Sequence, residues 1–453
     1  MRAAGNRGHL AARSRPSRRQ CLLPFAGCRF GRRGLDRPGR RLLLPQARRH
    51  PLRRQPARHL ACRHSRSGHA PEAHTGREHL ARAQIQESFR VSAHPIYGPN
   101  PFKLGIFSAN ADGGLTLTTV PERWQARWSD ITRLCRMADD AGFEFFLPIA
   151  RWKGFGGTTN SREHSFETFT FASALAAVTT KIGIFSTIHV PMIHPVYAAK
   201  ALATVDHVSN GRAGLNVVAG WNPDEFAMFG IHAEAERYAQ ALEWYQVISR
   251  IYLEDRPFDF AGKYYQLKNV SGKPKPVQRP RPVIFNAAFG PPGRDFAAQA
   301  SDFLLTTFSE IDAGKSHIVD ITARAEKLNH SLGVVATSHV VCRASQDEAE
   351  AYYERYAVSE ADKGAVDYHM TQKQKFAGSH DEATFRLHAK RFAGGAGTYP
   401  LIGTPRKIVD EMIRMKDAGF AGTTVSFVNY LDELPYFTKE VLPLMGEAGL
   451  RVK

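Results

Sequence analysis

The chain has 453 residues and a formal net charge of +18, from 61 Lys and Arg against 43 Asp and Glu. Residues 1–90 hold 22 Arg, no Lys and four acidic residues and so carry the whole excess, while residues 91–453 balance 39 basic against 39 acidic side chains. Charge therefore gives no argument for a nucleic-acid partner of the body, and no apolar run approaches the ~18 residues that a membrane-spanning helix needs.

The first segment, 1–90, has no hydrophobic periodicity and scattered Pro, Gly and His, and reads as an Arg-rich disordered tail. A nucleic-acid arm, an organelle transit peptide and a stretch translated upstream of the true start all have this look. Lys-free Arg beside abundant Pro, Ala and Gly favours the third, with a working start near Phe89–Pro101 and a single domain over 91–453. Cys21, Cys28 and Cys62 lie in the tail, leaving Cys135 and Cys342 with no disulfide framework. A cytoplasmic protein fits this cysteine usage.

From residue 102 onward, short apolar runs alternate with segments of helical period. Strands are expected at 102–108, 143–149, 181–188, 213–220, 282–288, 302–308, 333–342 and 422–428. Near-continuous apolar strands separated by helices imply a parallel sheet buried on both faces. Eight such units point to an α/β fold of the (βα)8 TIM-barrel class. An open doubly wound sheet would instead place a GxGxxG turn after the first strand, and Ala109-Asn110-Ala111-Asp112-Gly113-Gly114 lacks that spacing. Helix signals are explicit around Thr404-Pro405, with Ile408, Met412 and Met415 on one face. The sequence Asp-Ala-Gly-Phe ends one helix at 140–143 and another at 417–420. Two stretches exceed ordinary loops, 221–236 after the fourth strand and 357–403 after the seventh, and are expected as insertions over the site.

In such a barrel, reactive groups sit at the C-terminal strand ends. There the fourth strand carries Asn216, followed by Gly220-Trp221-Asn222-Pro223-Asp224-Glu225. An inward Asn among Leu215, Val217 and Val218 needs a partner, whether a ligand, a loop or backbone. Arg237-Tyr238 at a helix start could receive an anion, or could simply face solvent. Ala150-Arg151-Trp152-Lys153-Gly154-Phe155 could wrap a flat anionic ring. Ser186, Thr187, His189 and His194 lie at the third strand's end without a carboxylate or Cys at ligand spacing, so no metal site is expected. His339 interrupts an apolar strand, and Arg391 to Thr398 has the glycine density of a lid. GxSxG, a Ser-His-Asp order and paired strand-end carboxylates are all missing, a mouth suited to chemistry carried by an organic cofactor.

The stretch 195–225, with Pro195, Ala199, Thr204, Asp206, Ser209, Gly211-Arg212, Asn216, Gly220 and Glu225, followed by Glu236-Arg237-Tyr238, resembles the signature of the bacterial-luciferase-like flavin monooxygenases. The likeness runs from about residue 102 to the C-terminus and is nearest to the dimethyl-sulfone, pyrimidine and alkanesulfonate monooxygenases. It implies a homo-oligomeric (βα)8 barrel that receives reduced FMN from a separate NAD(P)H-dependent reductase. With O2, such an enzyme oxygenates a small organic substrate. By resemblance, flavin contacts fall on Ala150, Arg151, Asn216, Glu225, Arg237 and Tyr238, with Gly290 the positional match for the phosphate turn. His339 aligns with an active-site histidine, and His339 and Arg151 are the catalytic candidates.

Two departures bear on the substrate. The alkanesulfonate enzymes have arginines where this chain has Thr337 and Ala393, with Arg391 only nearby, which moves the expected substrate away from sulfonate anions toward a neutral compound such as dimethyl sulfone. The turn Ala287-Ala288-Phe289-Gly290-Pro291-Pro292-Gly293 also differs from the family's phosphate turn. A deazaflavin-dependent dehydrogenase on the same fold and a non-catalytic barrel with a nucleic-acid arm are the alternatives.

Overall fold

Eight parallel strands close on themselves in the computed structural model, which describes residues 94–232, 236–374 and 391–452; the reading of 1–90 as a tail lies outside the described residues. In chain order the strands are β1 Lys103–Phe107, β2 Phe145–Leu147, β3 Gly183–His189, β4 Ala213–Val218, β5 Phe258–Ala261, β6 Gln266–Val270, β7 Val283–Ala287, β8 Phe303–Thr306, β9 Gly333–Cys342, β10 Tyr399–Gly403 and β11 Gly422–Val425. The barrel order is β1-β2-β3-β4-β7-β8-β9-β11, and β11 pairs back onto β1 from Lys103↔Gly422 to Ile106↔Val425. Every expected barrel strand is present, most of them shorter than the apolar run that announced it.

The helices between strands follow their local signals. Thr404 accepts a hydrogen bond from the Lys407 amide at 3.4 Å, Pro405 opens Pro405–Asp417, and Ile408, Met412 and Met415 are buried. Both Asp-Ala-Gly-Phe sequences end a helix through a left-handed glycine, Gly142 at φ 77° and Gly419 at φ 104°. The barrel interior is filled by Phe145, Phe185, Phe285 and Phe303, with Phe185 and Phe285 centroids 4.5 Å apart. Rings of that size fit because small residues face them. A Cβ on Gly105 would stand 2.0 Å from the Phe145 ring and one on Gly214 2.3 Å from Phe185. At the N-terminal end of the strands, Ile96 joins this cluster and His94 sets its ring edge-on to Phe185 at 5.5 Å.

Three elements went unforeseen. The β5/β6 hairpin is antiparallel and half-exposed, without the continuous apolar run that marks a barrel strand. β10 and the helix Lys363–Gln374 lie in the stretch read as a long loop. β9 is shared by three pairings: Gly333–Ala336 bond to β8 and Val335–Thr337 to β11 inside the barrel, whereas Ser338–Cys342 bond to β10. The other stretch, 221–236, carries the short helix Pro223–Met228.

Candidate functional site

The loops after the barrel strands surround a cavity of about 330 Å³ at the C-terminal mouth. β2 ends in Pro148-Ile149-Ala150-Arg151, β3 brings Thr187 and His189, β4 brings Asn216 and Val218, and β8 and β9 bring Thr306 and Thr337. Phe107, Leu115, Leu305 and Phe392 make its apolar walls.

Its electrostatic centre is a buried ion pair. Arg151 Nη2 lies 3.0 Å from Glu225 Oε1, with both side chains almost wholly buried. The same oxygen accepts the Trp152 amide at 2.9 Å and the Lys153 amide at 3.3 Å, so Glu225 on the short helix fixes the turn that presents Arg151. The guanidinium is flanked by the rings of Phe155, at 4.8 Å, and Trp221, at 5.0 Å. Burial pushes the Glu225 carboxyl up, opposed by Arg151 and those two amides. Glu225 Oε2 is 3.8 Å from His189 Nδ1, and burial, then Arg151, hold His189 neutral by pulling it down to about 3.

Several polar atoms of this wall have no hydrogen-bond partner among the described residues: Arg151 Nε, His189 Nδ1, Asn216 Oδ1 and Glu225 Oε2. Asn216 is tied on one side only, its amide donating to Thr187 Oγ1 at 3.3 Å, which in turn donates to the Pro148 carbonyl at 2.5 Å. Buried polar atoms left open around one apolar cavity point to a polar ligand that completes them.

Of the residues singled out in the sequence, Ala150, Arg151 and Asn216 meet on this wall, with Glu225 directly behind. Arg237 and Tyr238 open the helix Arg237–Leu253 to one side, where Arg237 Nη1 donates to the Gly220 carbonyl at 3.0 Å. Tyr238 packs against the start of Pro291–Ala300, since a Cβ on Gly293 would stand 2.6 Å from its hydroxyl. Gly290 caps that helix. Pro291 and Pro292 have no amide hydrogen, and the Gly293 and Arg294 amides both donate to the Gly290 carbonyl at 3.1 Å. A phosphate there would meet the field of the helix with little backbone donation.

His339 is set back from the cavity. Its Nδ1 is 2.9 Å from Thr398 Oγ1, whose hydroxyl donates to the Gly395 carbonyl at 2.7 Å. Thr398 must then accept from His339, placing the proton on Nδ1 and leaving Nε2 as a bare acceptor with no partner among the described residues. Burial, then Arg391, pull His339 down to about 3, so it is neutral. The wall position on this strand belongs to Thr337 instead. Arg391 also points elsewhere, donating to the Ser309 carbonyl at 2.8 Å. His194 caps the helix Pro195–Val208. The glycine-rich run 393–398 is bonded to the body through Ala393 to the Leu117 amide at 2.9 Å and Gly397 to Thr307 at 2.9 Å.

Two features escaped the sequence reading. Helix Lys363–Gln374 covers the mouth: Tyr368 donates to Asp224 at 2.5 Å, and His369 stacks on Phe392 at 3.8 Å. Arg162, beyond the quoted loop motif, is a second buried cation of the wall. Nothing in its spacing marked it.

An eight-stranded α/β barrel with a charged, partly apolar cavity at its C-terminal mouth defines a barrel enzyme whose site is built on the strand ends. Residues 102–422 match the model of the luciferase-like monooxygenase family, and the chain belongs to that family. It is 30% identical over 358 residues to an FMNH(2)-dependent dimethylsulfone monooxygenase of Pseudomonas putida, covering 77% of this chain and 96% of that protein. Pyrimidine monooxygenase RutA of a Bradyrhizobium strain is 26% identical, covering 77% and 98%. The fold is shared with long-chain alkane monooxygenase LadA, at TM-score 0.68 and 21% identity over 78% of this chain and 93% of that one. DmoA from Hyphomicrobium sulfonivorans shares it too, at TM-score 0.68 and 20% identity over 78% and 90%.

Proposed function

We propose that the protein is the oxygenating half of a two-component system, using reduced FMN delivered by a separate NAD(P)H-dependent reductase, together with O2, to insert one oxygen atom into a small organosulfur compound. The observation that carries this is the set of unpartnered buried atoms on Arg151, His189, Asn216 and Glu225 around one apolar cavity. A flat ring with polar edges satisfies such a wall, and about 330 Å³ lies within the range of small-ligand sites. Bound reduced FMN would supply the electrons that activate oxygen.

The chain's own residues would do the rest. Ala150, Arg151 and Asn216 would hold the flavin ring, with Glu225 keeping Arg151 in place. Tyr238 and Gly290 would hold the phosphate end, with Arg237 fastening its helix to the loop after β4. Arg151 polarises the reacting group. His339, through its Nδ1–H, orients the Thr398 hydroxyl on the wall. The helix carrying Tyr368 and His369 excludes water, which protects reactive intermediates from wasteful decay. The dimethylsulfone relative supports an organosulfur substrate over a pyrimidine through its higher identity.

Oxygen uptake with NADH, FMN, a flavin reductase and a panel of dimethyl sulfone, alkanesulfonates and uracil tests the reading. Substrate-stimulated uptake with one oxygen atom in the product is expected. Oxygen-independent hydride transfer from a reduced deazaflavin would overturn it.

A further inference from the structure

Arg151 has its counter-charge in Glu225; Arg162 has none among the described residues. Its Nε donates to the Gly114 carbonyl at 3.0 Å and Nη2 to the Leu115 carbonyl at 3.2 Å, both neutral acceptors. Nη1 makes no hydrogen bond among the described residues. The adjacent carboxylate, Asp112, is already engaged, one oxygen accepting the Arg162 backbone amide at 2.6 Å and the other paired with Arg123 at 3.2 Å. Arg162 is only 6% exposed, yet it lines the cavity.

Its backbone adds an independent sign. Arg162 sits at φ 71°, a left-handed conformation that costs a non-glycine residue energy and persists where surrounding structure holds it. Phe155 lies between the two cations, 4.8 Å from Arg151 and 4.8 Å from Arg162. With His189 neutral and Arg151 balanced by Glu225, the described residues of the cavity carry one uncompensated positive charge. A buried guanidinium with a free N–H pair is an unfavourable thing to keep unless a ligand supplies the anion.

We propose that the cavity accepts a small organic acid anion, a sulfonate or sulfinate within the organosulfur class, and that the Arg162 guanidinium holds its acidic head group while Leu115, Phe107 and Phe392 receive its apolar body. The inference deepens the monooxygenase reading and rests on it only for the identity of the site. It reverses the neutral-substrate expectation drawn from Thr337 and Ala393, because the charge missing at those two positions is provided from the loop after β2.

Burial, then Arg151, pull Arg162 down to about 9, with Tyr430 and Asp112 opposing; Arg123 is the other charge facing Asp112.

Calorimetric titration of the full-length, FMN-loaded protein with methanesulfonate and with dimethyl sulfone, its neutral counterpart of similar size, tests the proposal without turnover. The wild-type protein is expected to bind methanesulfonate roughly tenfold more tightly or better, the worth of a charge-assisted pair. Arg162→Gln should abolish the preference, Arg162→Lys should keep part of it, and FMN binding, read by fluorescence quenching, should be unchanged in both. Equal or tighter binding of dimethyl sulfone by the wild-type protein overturns the proposal, and that comparison needs no folded variant. Loss of FMN affinity together with the anion preference also overturns it, since Arg162 would then serve the cofactor. An anion preference in a protein that gives no oxygen uptake with any substrate would sink the monooxygenase reading and leave the anion site standing.

Discussion

At the level of single residues, the site depends on how buried charge is balanced. Replacing Glu225 by Ala leaves the Arg151 guanidinium buried without its carboxylate and removes the acceptor of two amides. Breaking a buried pair in this way costs ~3–5 kcal/mol. Urea unfolding of Glu225→Ala should show a loss of that size together with weaker FMN binding, and a loss within the scatter of surface substitutions would refute the role given to the pair. His339→Gln, which can still donate one N–H toward Thr398, should retain most activity, whereas His339→Ala should lower it and leave FMN affinity alone; the kcat ratio of the two variants is the check. Arg151, Asn216 and Glu225 were legible in the sequence because strand ends and their first loop residues are where a barrel puts its chemistry. Arg162 was not, because its place on the wall arises from a left-handed turn eleven residues beyond Arg151. No periodicity announces such a turn.

At the level of elements, the strands and the helices between them could be read because each obeys a local rule: a continuous apolar run, a Thr-Pro start, a glycine stop. The covering helix Lys363–Gln374 obeyed none of these strongly. It is held by partners remote in sequence, through Tyr368 and Gln372 to Asp224 at 2.5 and 3.2 Å, and through Asp362 accepting the Thr158 and Thr159 amides at 3.0 and 2.7 Å. Such contacts exist only once the barrel has formed. Tyr368→Phe removes one bond of about 1 kcal/mol from the closed arrangement. Hydrogen peroxide released per oxygenated product should rise by roughly fivefold, with the melting temperature little changed; a product-to-peroxide ratio equal to wild type would show that this helix does not guard the site.

For the whole molecule, three of the four buried histidines among the described residues contribute to the response to acid. His94, His189 and His339 are each pulled by burial from the ordinary 6.5 to about 3. They stay neutral in the fold but take up protons in the unfolded chain below about pH 6.5, so stability is full above that value and falls as pH drops toward 3. Urea midpoints measured from pH 7.5 to 4.5 should decline steadily, and His339→Gln should flatten the slope; parallel curves would count against it. The charge count makes a second global prediction. A chain starting at residue 91 has equal numbers of acidic and basic side chains and should pass through a cation exchanger that retains the full-length protein. Finally, the two prolines that open Pro291–Ala300 bear on economy rather than architecture. An anchor with the field of a helix but few free amides makes for short tenancy, so the flavin would be a visitor and not a lodger. Throughput in the cell would then follow the traffic from the reductase more closely than the abundance of substrate.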